Sequence, residues 1–260
     1  MASASLLSLL VLGTLLSATL SGVIGMAGGT LLLAIMLFSG LDPWLVVPVH
    51  AAVQLVANAS RVVAHRHHVR TAAFWVLAGI ALPGPLLGLR WLEGLDSTAV
   101  RGAMGLMIIM SVWLPKFAFT RLSERGSFAF AGAVGGTIGV IVGAVGPMIA
   151  PFFLRPSFSK REVIATKAAC QAYLHLLKIA AFSGLYPALL TTRSVPAFDF
   201  AHQATLIIPM GAAAIGGTYV GKWLLTRVSE RRFVVLYKLV LTVLALRLIG
   251  GFLWQGLAGA

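Results

Sequence analysis

Gly22-Val23-Ile24-Gly25-Met26-Ala27-Gly28-Gly29 returns 117 residues later as Gly139-Val140-Ile141-Val142-Gly143-Ala144-Val145-Gly146. Carried on without a gap, the same offset lays residues 22–64 on 139–181 with eleven identical positions, Leu37/Leu154, Val46/Val163, Ala51/Ala168, Ala52/Ala169, Gln54/Gln171 and Ala64/Ala181 among them. Composition alone gives about four in so apolar a chain. The polar matches weigh most: Gln54 with Gln171, Arg61 with Lys178, His50 with Lys167. The chain therefore reads as two repeats, 1–117 and 118–260. A G-x-x-x-G follows in each half, Gly84/Gly88 and Gly217/Gly221, at a longer offset that asks for an insertion between.

Outside the repeat, composition sets the class. Apolar residues make up 59% of the chain and charged residues 10%, too few charges to cover a soluble domain. Ser5–Leu41 and Gly126–Leu154 carry no charge at all. About 20 apolar residues cross a bilayer core, so the first run is too long for one span and too short for two joined by a loop. The expected fold is an all-α polytopic membrane protein. Residues 1–21 could pass for a signal peptide, but no Lys or Arg precedes the apolar stretch, so they are read as a membrane helix. One cysteine, Cys170, excludes an intrachain disulfide and a cysteine-rich metal site.

Twenty Lys and Arg against seven Asp and Glu give a formal net charge of +13. In a soluble chain this would point to nucleic acid. Here basic loops that set topology explain it, and no nucleic-acid partner is expected. Arg61–Arg70 is strongly basic, whereas its counterpart around Gly184–Ser194 has only Arg193. Arg90–Asp96 has one base and two acids, whereas Lys222–Arg232 has four bases and one acid. The Lys116–Arg125 linker is basic as well. The positive-inside rule puts 61–70, 116–125 and 222–232 in the cytoplasm, so equivalent loops fall on opposite sides. That is an inverted-topology repeat, a common plan of secondary transporters.

Helices are expected near 5–25, 71–92, 98–116, 126–145, 200–222 and 233–254. The stretches 28–66 and 146–185 must each return the chain to the side it left, as re-entrant pairs of short helices or as two short tilted spans. Glycines and prolines at Gly25, Gly28, Gly29, Gly146, Pro147 and Pro151 favour broken helices, with turns at Ser39–Pro43 and Arg155–Lys160. Parity then leaves both termini outside the cytoplasm.

Gly22–Gly29 followed by Gly40-Leu41-Asp42-Pro43 resembles the opening of the TauE/SafE family of sulfite and organosulfonate exporters. So do Pro83…Gly88, Gly139…Gly146-Pro147 and Ala165-Thr166-Lys167-Ala168. The resemblance implies an inner-membrane transporter that moves small sulfur-containing anions outward. The chain departs from the family at Ala27-Gly28-Gly29, where three glycines are usual. It departs again at Pro48-Val49-His50, which puts an imidazole where small residues are usual.

His50, Gln54 and Asn58 recur every four residues and so share one helical face. The matching face shows Lys167, Gln171, His175 and Lys178. Polar groups inside a membrane are costly and need a reason. Two such stripes meeting near the midplane would offer charge, amide donors and imidazoles to an oxyanion. The expected substrate site is Gln54, Gln171, Lys167, His50, Asn58 and His175, with Gly28, Gly29, Gly146 and Pro147 as hinges whose helix N-termini favour an anion. The rival reading is that amides and imidazoles only join helices, and that Lys167 snorkels to the interface. Lys178 lies closer to a helix end and is left out of the set.

His65-Arg66-His67-His68 invites a metal, but Arg61, Arg66 and Arg70 oppose a cation. A topology-fixing loop that touches anionic lipid headgroups fits better. No metal or cofactor is expected. The six tryptophans fall near span ends, as interfacial anchors. The glycine motifs allow close helix approach within one protomer or across a homodimer. The seven acids, Asp42, Glu93, Asp96, Glu124, Glu162, Asp199 and Glu230, are scattered, so paired-carboxylate catalysis has no seat and an enzyme is not expected. The function expected is anion export by alternating access, with an anion channel as the alternative. An interior negative by about 100 mV favours outward movement of a monovalent anion by about 2.3 kcal/mol.

Overall fold

Asp42 and Ser159 stand 117 residues apart, and each opens a helix of 23 residues. Asp42 Oδ1 accepts from the Trp44 N–H at 2.8 Å. Ser159 and Glu162 satisfy each other's backbone N–H groups in a reciprocal capping box. The repeat seen in the sequence is thus kept in the helix boundaries themselves.

The computed structural model describes residues 3–24, 28–113, 122–186, 197–224 and 230–258. Gly25, Ala27, residues 114–121 of the basic linker, Arg193 and residues 225–229 lie outside these. The first half contains α1 (Ala4–Ile24), α2 (Gly28–Phe38), α3 (Pro43–His65), α4 (Thr71–Ala81), α5 (Gly84–Leu92) and α6 (Ser97–Trp113). The second contains α7 (Glu124–Val142), α8 (Gly146–Phe153), α9 (Lys160–Phe182), α10 (Ala204–Leu224) and α11 (Glu230–Ala258). No strand occurs among the described residues. The chain is an all-α, multi-pass membrane protein. Among the described residues four helices are long and apolar enough to cross a bilayer, or five if the bent pair α4–α5 forms one span.

The expected helix over 71–92 breaks at Leu82-Pro83 and bends by 42°. Proline lacks the N–H that would continue the ladder, which accounts for the break. The stretches 28–66 and 146–185 each open on a short helix. α2 has 11 residues and α8 has eight, roughly 16 and 12 Å at 1.5 Å per residue. Their partners α3 and α9 are long, at 23 residues or roughly 34 Å, so only the first arm of each pair is short.

Helix pairing follows the repeat. α1 packs along α10, and α7 packs along α4 and α5. α3 packs on α9, and α6 on α11. α2 reaches α11, and α8 reaches α6. With α4–α5 counted as one element opposite α10, and α6 opposite α11, exchanging the halves maps this set of pairings onto itself. The glycine motifs make the two longest seams. A Cβ on Gly221 would lie 2.3 Å from the Thr19 carbonyl, and one on Gly217 would lie 2.5 Å from that of Leu15. A Cβ on Gly84 would lie 2.5 Å from Gly136, and one on Gly88 2.5 Å from the Thr137 carbonyl. Each motif therefore seats its helix on the first helix of the other half, backbone against backbone.

The outer surface is apolar, with Leu16, Trp75, Ile208 and Trp254 among the residues most exposed on it. In water such a surface would be a liability; against lipid it is the expected finish. The polar groups are turned inward, onto the seam between α3 and α9.

Candidate functional site

Two helices bring most of the polar stripe together. Gln54 and His50 on α3 face Gln171, His175 and Lys178 on α9. The starts of the short helices close the same space, with Gly29 from α2 and Gly146-Pro147 from α8. Ser21 of α1, Thr30 of α2 and Arg61 of α3 complete the polar lining. The room inside is about 20 Å³, enough for roughly one water.

Each glutamine rests on a glycine in the first turn of the short helix of its own half. A Cβ on Gly146 would lie 2.3 Å from Gln171 Nε2, and one on Gly29 would lie 3.1 Å from Gln54 Oε1. The pairs 29/54 and 146/171 are related by the same offset of 117. Glycine leaves each amide room at the place a side chain would take, and a Cβ would displace it, most at Gly146. The positive ends of α2 and α8 consequently meet at the cavity, where their first N–H groups favour negative charge.

The cations come as a repeat pair too. Lys178 and Arg61 are buried, at 2% and 7% exposure. Lys178 Nζ donates to the Gly143 carbonyl. Gly143 has φ 78° and ends α7, so the ammonium also meets the negative end of that helix. Arg61 Nη1 donates to Asn58 Oδ1 at 3.0 Å, while Asn58 Nδ2 donates to the Gln54 carbonyl at 2.8 Å. Asn58 thereby fixes the guanidinium.

His50 Nε2 donates to the Gly29 carbonyl at 2.8 Å, and the His50 and His175 rings meet edge to face at 5.8 Å. Four buried polar atoms in the lining have no hydrogen-bond partner: Thr30 Oγ1, His50 Nδ1, His175 Nδ1 and Arg61 Nε. Buried polar atoms are nearly always paired, so four around one small space mark a place where water or a solute completes the bonding. No carboxylate is found among the described residues that line the cavity.

Of the residues chosen from the sequence, Gln54, Gln171, His50, His175, Gly29, Gly146 and Pro147 line this cavity. Three do not. Gly28 faces α1, its Cβ position only 2.1 Å from the Ser17 carbonyl. Asn58 stands behind Arg61. Lys167 is buried one turn before Gln171, about 6 Å closer to the start of α9. Four polar lining residues went unchosen: Ser21, Thr30, Arg61 and Lys178. For the last two the signal was present, since they match each other in the repeat and lie seven residues beyond Gln54 and Gln171. Arg61 was counted with the basic loop and Lys178 with a helix end.

A family model described as Sulfite exporter TauE/SafE matches residues 9–248. No curated protein and no solved structure matches the chain.

Proposed function

The chain belongs to the TauE/SafE sulfite exporter family, and on that footing we propose that the cavity between α3 and α9 is where a sulfur oxyanion, sulfite or an organosulfonate, binds on its way out of the cell. The observation that carries this reading is the pair of buried cations, Arg61 and Lys178, in a lining with no carboxylate among its described residues. Ionisable side chains inside a membrane protein are costly and need a partner. Two of them without a counter-ion are sustained by function, and an anion is the missing partner. The Gln54 and Gln171 amides offer N–H donors to its oxygens, and the ends of α2 and α8 add backbone donors.

Alternating access fits the geometry better than an open channel. A space of about one water admits no oxyanion until helices move. The two halves, 1–117 and 118–260, are the bodies that would rock about the α3–α9 seam, in opposite orientations across the inner membrane, with both termini outside the cytoplasm. Export then runs down the membrane potential without ATP.

The test is sulfite efflux from liposomes containing the purified protein. Lys178→Gln keeps an N–H donor on a side chain one atom shorter and removes its charge. It is expected to lower the rate at least about tenfold, equivalent to about 1.4 kcal/mol. Efflux through Lys178→Gln at the wild-type rate would remove the cation from the mechanism.

A further inference from the structure

A second cavity lies on the side of the basic loops. It has a volume of about 370 Å³ and is bounded by α1, α3, α9 and α10. Its charged lining consists of Arg61, Lys160, Arg161 and Lys222, with His65 among them, and no carboxylate is found among the described lining residues. These cations come from three helices, so the concentration of charge is a product of the fold and not of one basic segment. The loop after α3 is tied to the start of α9, where Arg70 pairs with Glu162 at 2.7 Å and its N–H donates to Thr166 Oγ1 at 3.0 Å. That clasp takes up the acidic side chain nearest to Arg161 and holds Lys160 and Arg161 beside His65.

This vestibule shares Ser21 and Arg61 with the central cavity. Arg61 is more than nine-tenths buried, and its Nε has no partner. At the other end of the molecule a cavity of about 690 Å³ is lined by Leu6, Leu7, Leu10, Leu41, Leu45 and Leu206, with His202, Gln203 and Thr205. It has no lining residue in common with the central one. The central cavity thus shares part of its lining with the basic side, which the positive-inside rule assigns to the cytoplasm.

We propose that the basic vestibule is a second oxyanion site, an entrance that gathers the substrate anion from the cytoplasmic side and passes it by way of Arg61 to the central cavity. It rests on the reading of the central cavity as the transport site. A recess lined by one sign of charge with low-dielectric walls raises the local concentration of counter-ions and their rate of arrival. Arg61, held by Asn58 on one edge and unpartnered at Nε, stands in both spaces and can hold an anion in either. The same chemistry would suit the phosphate of an anionic lipid, so the source of the anion is part of the test.

Two measurements decide it. In liposomes, Arg161→Gln/Lys222→Gln is expected to raise the sulfite concentration for half-maximal transport about three- to tenfold, with the maximal rate held within about twofold. Arg66→Gln, exposed in the basic turn and outside the lining, is expected to change neither. An equal shift in Arg66→Gln, or none in the double variant, overturns the proposal. In detergent, thermal stability is followed with added sulfate, phosphate or phosphatidylglycerol. A sulfate-induced rise that survives Lys178→Gln and is lost in Arg161→Gln/Lys222→Gln places the anion in the vestibule even if the central site fails its own test. A rise with phosphatidylglycerol alone overturns the entrance role.

Discussion

At the scale of single residues, the site depends on what glycine leaves out. Gln171 occupies the space that a side chain on Gly146 would fill. Gly146→Ala puts a methyl group 2.3 Å from Nε2, and the flexible end of Gln171 moves aside more readily than backbone would. The expected result is a strong loss of sulfite transport, about tenfold or more, with a melting temperature close to wild type. Equal transport in Gly146→Ala would mean that Gln171 does not touch substrate. Much of this was legible in the sequence. The four-residue spacing of His50, Gln54 and Asn58 and the match of Gln54 to Gln171 both pointed to one face on each of two helices. Depth was not legible. A helical face runs the whole length of a 34 Å helix, but the cavity spans only a few turns of it, so Lys167 shares a face with the lining without reaching it, while Asn58, between Gln54 and Arg61, is engaged by the guanidinium instead.

At the scale of elements, the glycine seams fix which helices meet. Sequence showed G-x-x-x-G twice but could not show the partner, because close approach needs a second smooth surface elsewhere in the chain. The structure supplies it at Leu15–Gly22 of α1 and at Gly132–Thr137 of α7. Gly221→Leu drives a side chain into the Thr19 carbonyl and Gly22 Cα, both within 2.8 Å of its first carbon. Backbone on both sides leaves no way to relax, so the purified variant should melt at least about 5 °C lower or fail to accumulate. Gly79 is the control. Nothing lies within 4 Å of its Cβ position, and Gly79→Ala should hold or slightly raise stability, by at most about 1 kcal/mol. A Gly221→Leu protein as stable as wild type would contradict the seam. The break within 71–92 was the element that sequence reading passed over. Pro83 gave the signal, but the apolar run continues through it, and hydropathy does not register a bend.

At the scale of the whole molecule, the fold is two similar halves whose main helix pairings survive their exchange. Repeat-related residues therefore meet across one seam, and charge gathers there from sequence-distant places. Gln54 and Gln171, Arg61 and Lys178, and the starts of α2 and α8 are each one feature used twice. The offset of 117 announced this arrangement, and the helix limits 43–65 and 160–182 carry it without slippage. What a repeat cannot announce is the state of the pathway. The basic vestibule shares Ser21 and Arg61 with the central cavity while the leucine-lined cavity shares no lining residue with it, a difference made by packing and not by pattern.

The central claim is that the twinned amide and cation pocket carries one oxyanion at a time across the bilayer, and sulfite counterflow tests it most directly. Liposomes bearing the protein are loaded with unlabelled sulfite and diluted into a trace of labelled sulfite. The account predicts that label rises transiently above its equilibrium level with the wild-type protein, and that Gln54→Ala/Gln171→Ala abolishes the rise. Label that only drifts to equilibrium with the wild type, or a double variant that overshoots as the wild type does, would contradict it.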